Sequence, residues 1–222
     1  MKAISKRLAR DFENLAKEGP ALGIFIKARS NDDLSVLRMM LVGPKGPYEN
    51  CLFFFDIDFP NPYPINSPHV VFQCPYTIRC HPNLYMEGKV CLSILGTWTG
   101  PPWTPMMTLN TIAQTILMIL DDAPLRNEPA YEKASLEKVQ PYTDYVRYVC
   151  LRESTNLYRQ CLTETLPPGF RDFHNEIMQT LIVNRERLNV QIAEINATVA
   201  PVRAVGYGNR SYSGEKMFIE PL

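Results

Sequence analysis

Phe59-Pro60-Asn61-Pro62-Tyr63-Pro64-Ile65-Asn66-Ser67-Pro68 decides how this 222-residue chain is read. Proline holds φ near −65° and donates no backbone hydrogen bond, so the segment is neither helix nor central strand. It has to be a rigid, extended crossing between ordered elements. Upstream lie three strand-like runs: Leu22 to Ala28, Leu34 to Val42 after the turn Asn31-Asp32-Asp33, and Asn50 to Asp58 after Gly43-Pro44-Lys45-Gly46-Pro47. Downstream, His69 to Gln73 makes a fourth. Loops this short between consecutive strands imply an antiparallel meander. Ahead of the meander, residues 2–18 carry Ile4, Leu8, Phe12 and Leu15 at helical spacing, and Gly19-Pro20 stops the helix. Lys2, Lys6 and Arg10 recur on another face with Arg7 beside them, a pattern that suits a solvated helix face.

Beyond the fourth strand the periodicity disappears. From Cys74 to Pro105 no long helical or strand pattern is present, and a structureless stretch of that length inside a compact domain is usually functional. Helical spacing returns after Thr108, a plausible N-cap, with Leu109, Ile112, Ala113, Ile116, Leu117 and Leu120 forming a broad apolar face. Asp121 to Pro129 reads as a turn region. Ala130 to about Leu166 is helical, expected in two pieces broken near Pro141, and Pro167-Pro168-Gly169 ends it. A last helix is expected from about Phe170 to Ala197, with Ile177, Leu181, Leu188, Ile195 and Val199 in a partial heptad rhythm. Residues 200–222, rich in Gly, Ser and charge, read as a loose tail. The class is α+β, without internal repeats.

Composition narrows the function. Lys plus Arg and Asp plus Glu are both 23, so the formal net charge is +0. That balance lacks the basic surplus of a generic nucleic-acid binder or a polybasic membrane arm. Six cysteines stand at 51, 74, 80, 91, 150 and 161, with no Cys-x-x-Cys pair, and Cys74, Cys80 and His81 lack a fourth ligand at zinc spacing. No metal and no disulfide framework is expected. No apolar run follows Met1-Lys2-Ala3, and Ile116 to Leu120 is too short to span a bilayer. A reducing, cytoplasmic or nuclear setting is the expectation. The 19 prolines exceed the roughly 5% of average usage, which is about 11 for this length.

Chemistry concentrates in the irregular stretch, at His81-Pro82-Asn83 and, after seven intervening residues, Cys91-Leu92. A thiol there can hold an acyl group as a thioester. A carboxamide N–H is a neutral donor suited to the oxyanion of acyl transfer. No Cys–His–Asp relay is evident, which points to an acyl carrier whose acceptor is a strong nucleophile such as an amine.

These residues belong to a longer ordered series over roughly residues 1–160. Its members are Val42-Gly43-Pro44, Pro47-Tyr48, Phe53 to Phe55, Phe59-Pro60, Tyr63-Pro64, Ser67-Pro68, His81-Pro82-Asn83, Gly88-x-Val90-Cys91-Leu92, Trp103-x-Pro105 and Asn127-Glu128-Pro129. In that order the chain resembles the ubiquitin-conjugating enzymes. Leu92 to Gly100 and Asn127 to Glu132 are similar to the Z-type subgroup, which includes the conjugating domains of some giant ligases and carries a short insertion after the cysteine, here residues 95–102. The resemblance implies the ubiquitin-conjugating fold: an N-terminal helix, a four-stranded antiparallel meander, an irregular active-site loop, a central helix and C-terminal helices. It implies a catalytic domain over 1–160, a helical extension over 161–199 and the tail at 200–222.

It also implies roles. Cys91 matches the cysteine that accepts ubiquitin, or a ubiquitin-like modifier, from an activating enzyme. Asn83 matches an asparagine that either stabilises the oxyanion or holds the active-site loop, and both readings stand at this stage. His81 and Pro82 are architectural. Glu128 matches an acidic residue that orients the incoming lysine. Ser93 stands where many members carry Asp. Lys6 and Arg7 match positions that meet activating enzyme and ligase. Ile65, Trp103, Pro105 and Met106 match the ligase-facing loops, although Ile65 and Met106 equally suit a core. Trp98 reads as packing within the insertion. The implied partners are the modifier, its activating enzyme, RING-type or HECT-type ligases and protein substrates, with no cofactor, nucleic acid or membrane. Two other readings remain: a non-catalytic scaffold on the same fold, and a cysteine hydrolase using His81 or His174 as base.

Overall fold

The strands on either side of the proline-rich segment do pair as an antiparallel meander. In the computed structural model the described residues are 6–30, 33–76, 79–198, 202–207, 210–214 and 218–222, so Lys2, Ile4 and Val199 lie outside them. The chain divides into two units: Met1–Gly43, Leu52–Arg79 and Asn83–Ile119 in the first, and Pro44–Cys51, Cys80–Pro82 and Leu120–Leu222 in the second.

In the first unit, helix α1 (Lys6–Glu18) is followed by strands β1 (Ile24–Ser30), β2 (Asp33–Val42), β3 (Leu52–Asp58) and β4 (His69–Gln73). They pair in sequence order, β1-β2-β3-β4, all antiparallel. The register sets Arg38 opposite Asp56, and their side chains form an ion pair at 3.3 Å. β3 is buried on both faces from Leu52 to Phe55, which is why its sequence is a continuous apolar run rather than an alternation. Helix α2 (Leu109–Ile119) buries Leu109, Ile112, Ala113 and Ile116 and packs on α1, which also packs on β1. Thr108 caps α2 as expected: its hydroxyl accepts the Thr111 N–H at 3.3 Å, and the Thr108 N–H donates to the Thr111 hydroxyl at 3.1 Å.

The second unit holds α3 (Leu136–Leu162) and α4 (His174–Ala197), packed on each other. The break expected at Pro141 is absent; α3 runs through it. Proline costs about 3 kcal/mol relative to alanine in a helix interior. Against that, Val139, Tyr142, Val146, Val149, Leu157 and Tyr158 are all buried from this helix. Each such side chain contributes about 1.5–3 kcal/mol, so tertiary burial outweighs one missing donor. The stretch 200–222, read as a loose tail, contains two strands, β5 (Val202–Tyr207) and β6 (Arg210–Gly214), paired antiparallel. It ends in a segment, Phe218 to Leu222, whose Ile219 is buried.

Candidate active site

The irregular stretch after β4 is organised by a tight turn. Val71 and Leu84 make isolated bridges to Lys89 and Val90, and the Phe72 N–H donates to the Gly88 carbonyl at 2.8 Å. Gly88 sits at φ +99, and a Cβ there would lie 2.8 Å from the Val71 side chain. Both the left-handed backbone and the close approach require glycine. The turn carries the chain back so that Asn83 and Cys91 face each other. The Cys91 N–H donates to the Asn83 carbonyl at 2.9 Å, and Asn83 Nδ2 donates to the Cys91 carbonyl at 2.7 Å. Both residues are buried, Cys91 at 2% exposure and Asn83 at 7%. The Asn83 amide thus holds the peptide group of the cysteine itself.

Immediately after Cys91 the chain turns through a short 3-10 segment, Ser93–Leu95, and the insertion folds back. Thr97 is the residue the sequence reading missed. Its hydroxyl accepts the Leu92 N–H at 3.0 Å and donates to the Val90 carbonyl at 2.5 Å, stapling the residues on either side of the cysteine. A Thr five residues past a Leu has no periodic signature, so only the folded loop shows its part. Gly100, at φ +136, lies against Ser93: a Cβ there would come within 2.9 Å of the Ser93 Cβ.

Ile65, Trp103, Pro105 and Met106 lie in the same unit. Ile65 is 65% exposed and Met106 is 87% exposed, so both are surface rather than core residues. Trp103 donates through Nε1 to the Pro64 carbonyl at 2.8 Å, and its ring lies 6.2 Å from that of Tyr63. Ile65, His69, Ile94, Gly96, Pro102 and Trp103 line part of a groove of about 380 Å³. Trp98, expected to pack within the insertion, is instead 43% exposed.

Lys6 and Arg7, read together from the sequence, are placed differently. Lys6 is exposed. Arg7 is half-buried: its Nε reaches both Asp11 oxygens at 2.9 and 3.0 Å, and Nη1 and Nη2 donate to the carbonyls of Pro105 at 3.2 Å and Met107 at 2.8 Å. Asp11, buried on the face of α1 read as an apolar stripe, also accepts the Tyr63 hydroxyl at 2.6 Å. Burial and that hydrogen bond push the Tyr63 phenol well above its usual range. Arg7, Asp11 and Tyr63 therefore tie the loops that carry Ile65 and Met106 to α1.

In the second unit, His81 is fully buried, its ring 5.9 Å from that of Tyr48, whose hydroxyl donates to the Cys80 carbonyl at 3.0 Å. Glu128 is half-buried at the end of a 3-10 turn, Pro124–Asn127, and its N–H donates to the Leu125 carbonyl at 3.0 Å. His174, offered as a base for a hydrolase, sets Nδ1 3.4 Å from the thiol of Cys161, which burial pushes up from its usual pKa. All six cysteines are free thiols, and Cys74 is half-buried while the other five are buried. Among the described residues no group of three or more His, Cys, Asp or Glu is placed to hold a metal, and no helix is long and apolar enough to cross a membrane.

The family model described as ubiquitin-conjugating enzyme matches residues 7–150. The chain therefore belongs to the ubiquitin-conjugating enzyme family, a family of transferases with this meander-and-helix fold. It is similar to ubiquitin-conjugating enzyme E2 Z of Homo sapiens, 38% identical over 130 residues that make up 57% of this chain and 36% of that protein. It is also similar to probable ubiquitin-conjugating enzyme E2 25 of Arabidopsis thaliana, 39% identical over 139 residues, 59% of this chain and 22% of that one. Dual E2 ubiquitin-conjugating enzyme/E3 ubiquitin-protein ligase BIRC6 of Homo sapiens is 35% identical over 143 residues, 60% of this chain and 3% of that protein. The Z-type resemblance read from the sequence agrees with these relatives, of whose lengths the chain spans well under two thirds.

Two outcomes are expected at this site. Arg7→Ala lowers stability by about 1–3 kcal/mol in urea denaturation, because it strands buried Asp11, whereas Lys6→Ala changes it by less than about 0.5 kcal/mol. Equal effects at the two positions would contradict the clamp. Thr97→Val costs about 1–2 kcal/mol by the same measurement, and Thr97→Ser restores wild-type stability, since only the hydroxyl is at stake.

Proposed function

We propose that this chain carries ubiquitin, or a ubiquitin-like modifier, as a thioester on Cys91 and passes it to a lysine amine or to a ligase. The observation that supports this most directly is the reciprocal pairing of Asn83 and Cys91 in a loop stapled on both sides of the cysteine. In the first step the Cys91 thiolate attacks the carbonyl carbon of the thioester on the activating enzyme. The activating enzyme's sulfur leaves and takes up a proton. In the second, a neutral lysine amine attacks the Cys91 thioester carbonyl, an isopeptide bond forms, and the Cys91 thiol is released as the amine gives up its proton. ATP is consumed by the activating enzyme, and no metal or organic cofactor takes part here.

Asn83 acts on this reading by fixing the cysteine peptide, which its contact with the Cys91 carbonyl supports over a purely oxyanion-directed role. His81 and Pro82 are architectural, a role the burial of His81 against Tyr48 supports. Ser93 sits under the insertion. Glu128 orients the incoming lysine and favours its neutral form. Exposed Lys6, Ile65, Pro105 and Met106 meet the activating enzyme or a RING-type or HECT-type ligase, while Arg7 and Trp103 shape that surface. Residues 1–160 form the conjugating domain, 161–199 a helical extension, and 200–222 a C-terminal segment. Cytoplasm or nucleus is the setting. The scaffold reading draws no support from the relatives, each of which carries the word enzyme in its name.

Incubation with activating enzyme, modifier and ATP tests this. Wild type is expected to form a reducible adduct, Cys91→Ala none, and Cys91→Ser an adduct that survives reduction. Glu128→Gln is expected to load normally but to discharge to free lysine about tenfold more slowly. Failure of ubiquitin and of every ubiquitin-like modifier to load would sink the proposal.

A further inference from the structure

The segment Phe218-Ile219-Glu220-Pro221-Leu222 is held by α4 through two asparagines used in the same way. Asn196 donates through Nδ2 to the Ile219 carbonyl at 2.7 Å, and its Oδ1 accepts the Ile219 N–H at 3.1 Å. Asn189 donates through Nδ2 to the Leu222 carbonyl at 3.1 Å, and its Oδ1 accepts the Leu222 N–H at 2.8 Å. A carboxamide offers one donor and one acceptor side by side, so each asparagine pairs with a single residue's N–H and C=O as a neighbouring strand would. Arg185 adds Nε to the Leu222 carbonyl at 3.0 Å, and Arg159 of α3 donates to the Glu220 carbonyl.

The spacing of the two rungs fits an extended ligand. Seven helical residues rise about 10.5 Å. Three residues of extended or polyproline-like chain span about 9–10 Å. In polyproline geometry every third residue faces the same way. The segment itself favours this: Glu220 precedes Pro221 and is pushed toward extended backbone. Pro221 lacks an N–H, and it lies between the rungs, where none is required. Ile219 is 2% exposed, whereas Phe218 is 71% exposed and Glu220 and Pro221 are exposed. Recognition thus falls on the backbone of three residues, Ile219, Glu220 and Leu222, plus one buried apolar side chain.

We propose that this face of α4 is a peptide-binding site for extended segments of the form apolar-x-Pro-apolar, and that residues 219–222 occupy it as an exchangeable ligand in cis. Any segment with that backbone and an apolar residue at the first rung meets the same donors and acceptors. Because the resident ligand is tethered, it competes with one added in trans.

The test uses the full chain. In wild type, hydrogen exchange is expected to show the Ile219 and Leu222 amides protected, and Asn189→Ala with Asn196→Ala to remove that protection while α4 stays helical by circular dichroism. Ile219→Asp frees the site. A fluorescein-labelled peptide of residues 216–222 is expected to bind that variant saturably in anisotropy, at least tenfold more tightly than it binds wild type. Adding both asparagine substitutions to Ile219→Asp should weaken the peptide at least tenfold. Unprotected Ile219 and Leu222 amides in wild type would overturn the proposal. So would a folded Ile219→Asp chain that fails to bind the peptide, or binds it equally well without the asparagines.

Discussion

A cysteine outside any regular ladder needs its peptide groups satisfied one by one, and the Asn83–Cys91 pairing does this. The backbone of Asn83 takes the Cys91 N–H, and its side chain takes the Cys91 carbonyl. Each bond contributes only about 1 kcal/mol net, but leaving a buried partner unmade costs about 1–3 kcal/mol. That asymmetry makes the loop close to all-or-none: it is held in one arrangement or pays for several orphaned groups at once. Thr97 extends the same logic to Val90 and Leu92, so the insertion after the cysteine forms part of the support for the segment it follows. On the proposed carrier reading, a thiol that exchanges acyl groups gains from such fixed geometry, since misplacement of reacting atoms is costly in rate.

The other organised surface rests on a buried charge. Asp11 in α1 is surrounded by Arg7, the Tyr63 hydroxyl and, through Arg7, the carbonyls of Pro105 and Met107. One network therefore sets the positions of the two loops that present Ile65 and Met106. These side chains are exposed on backbone that is tied down, which lowers the ordering cost of binding a partner. The basic stripe of α1 splits into an outward-facing lysine and an inward-clamping arginine, consistent with the fork geometry of guanidinium that lysine lacks.

How much was legible follows from which forces act locally. The four strands, the first helix, the Thr108 cap and the last helix were readable because period and turn chemistry are short-range signals. The proline run around residues 60–68 was readable because ring closure restricts φ whatever surrounds it. The expected break at Pro141 failed because it weighed a local cost without the burial of Val139, Tyr142 and Val146. The loose tail was misjudged for a related reason. Polar composition suggested a loose tail, but Asn189 and Asn196 of α4 satisfy its last residues through side-chain contacts that leave no periodic trace in the sequence.

The sequence by itself determined the order of elements from α1 to α2 and the place of the irregular loop, and it singled out Cys91 and Asn83 as the candidates for chemistry there. Each of these depends on spacing, proline or glycine chemistry and an ordered series of motifs. Only the tertiary structure decided that Asn83 grips the cysteine's own carbonyl, that Thr97 staples its neighbours, and that Arg7 clamps while Lys6 stays outside. Those outcomes depend on hydrogen-bond partners separated by up to about a hundred residues, and a donor's partner is set by distance in space rather than by position along the chain.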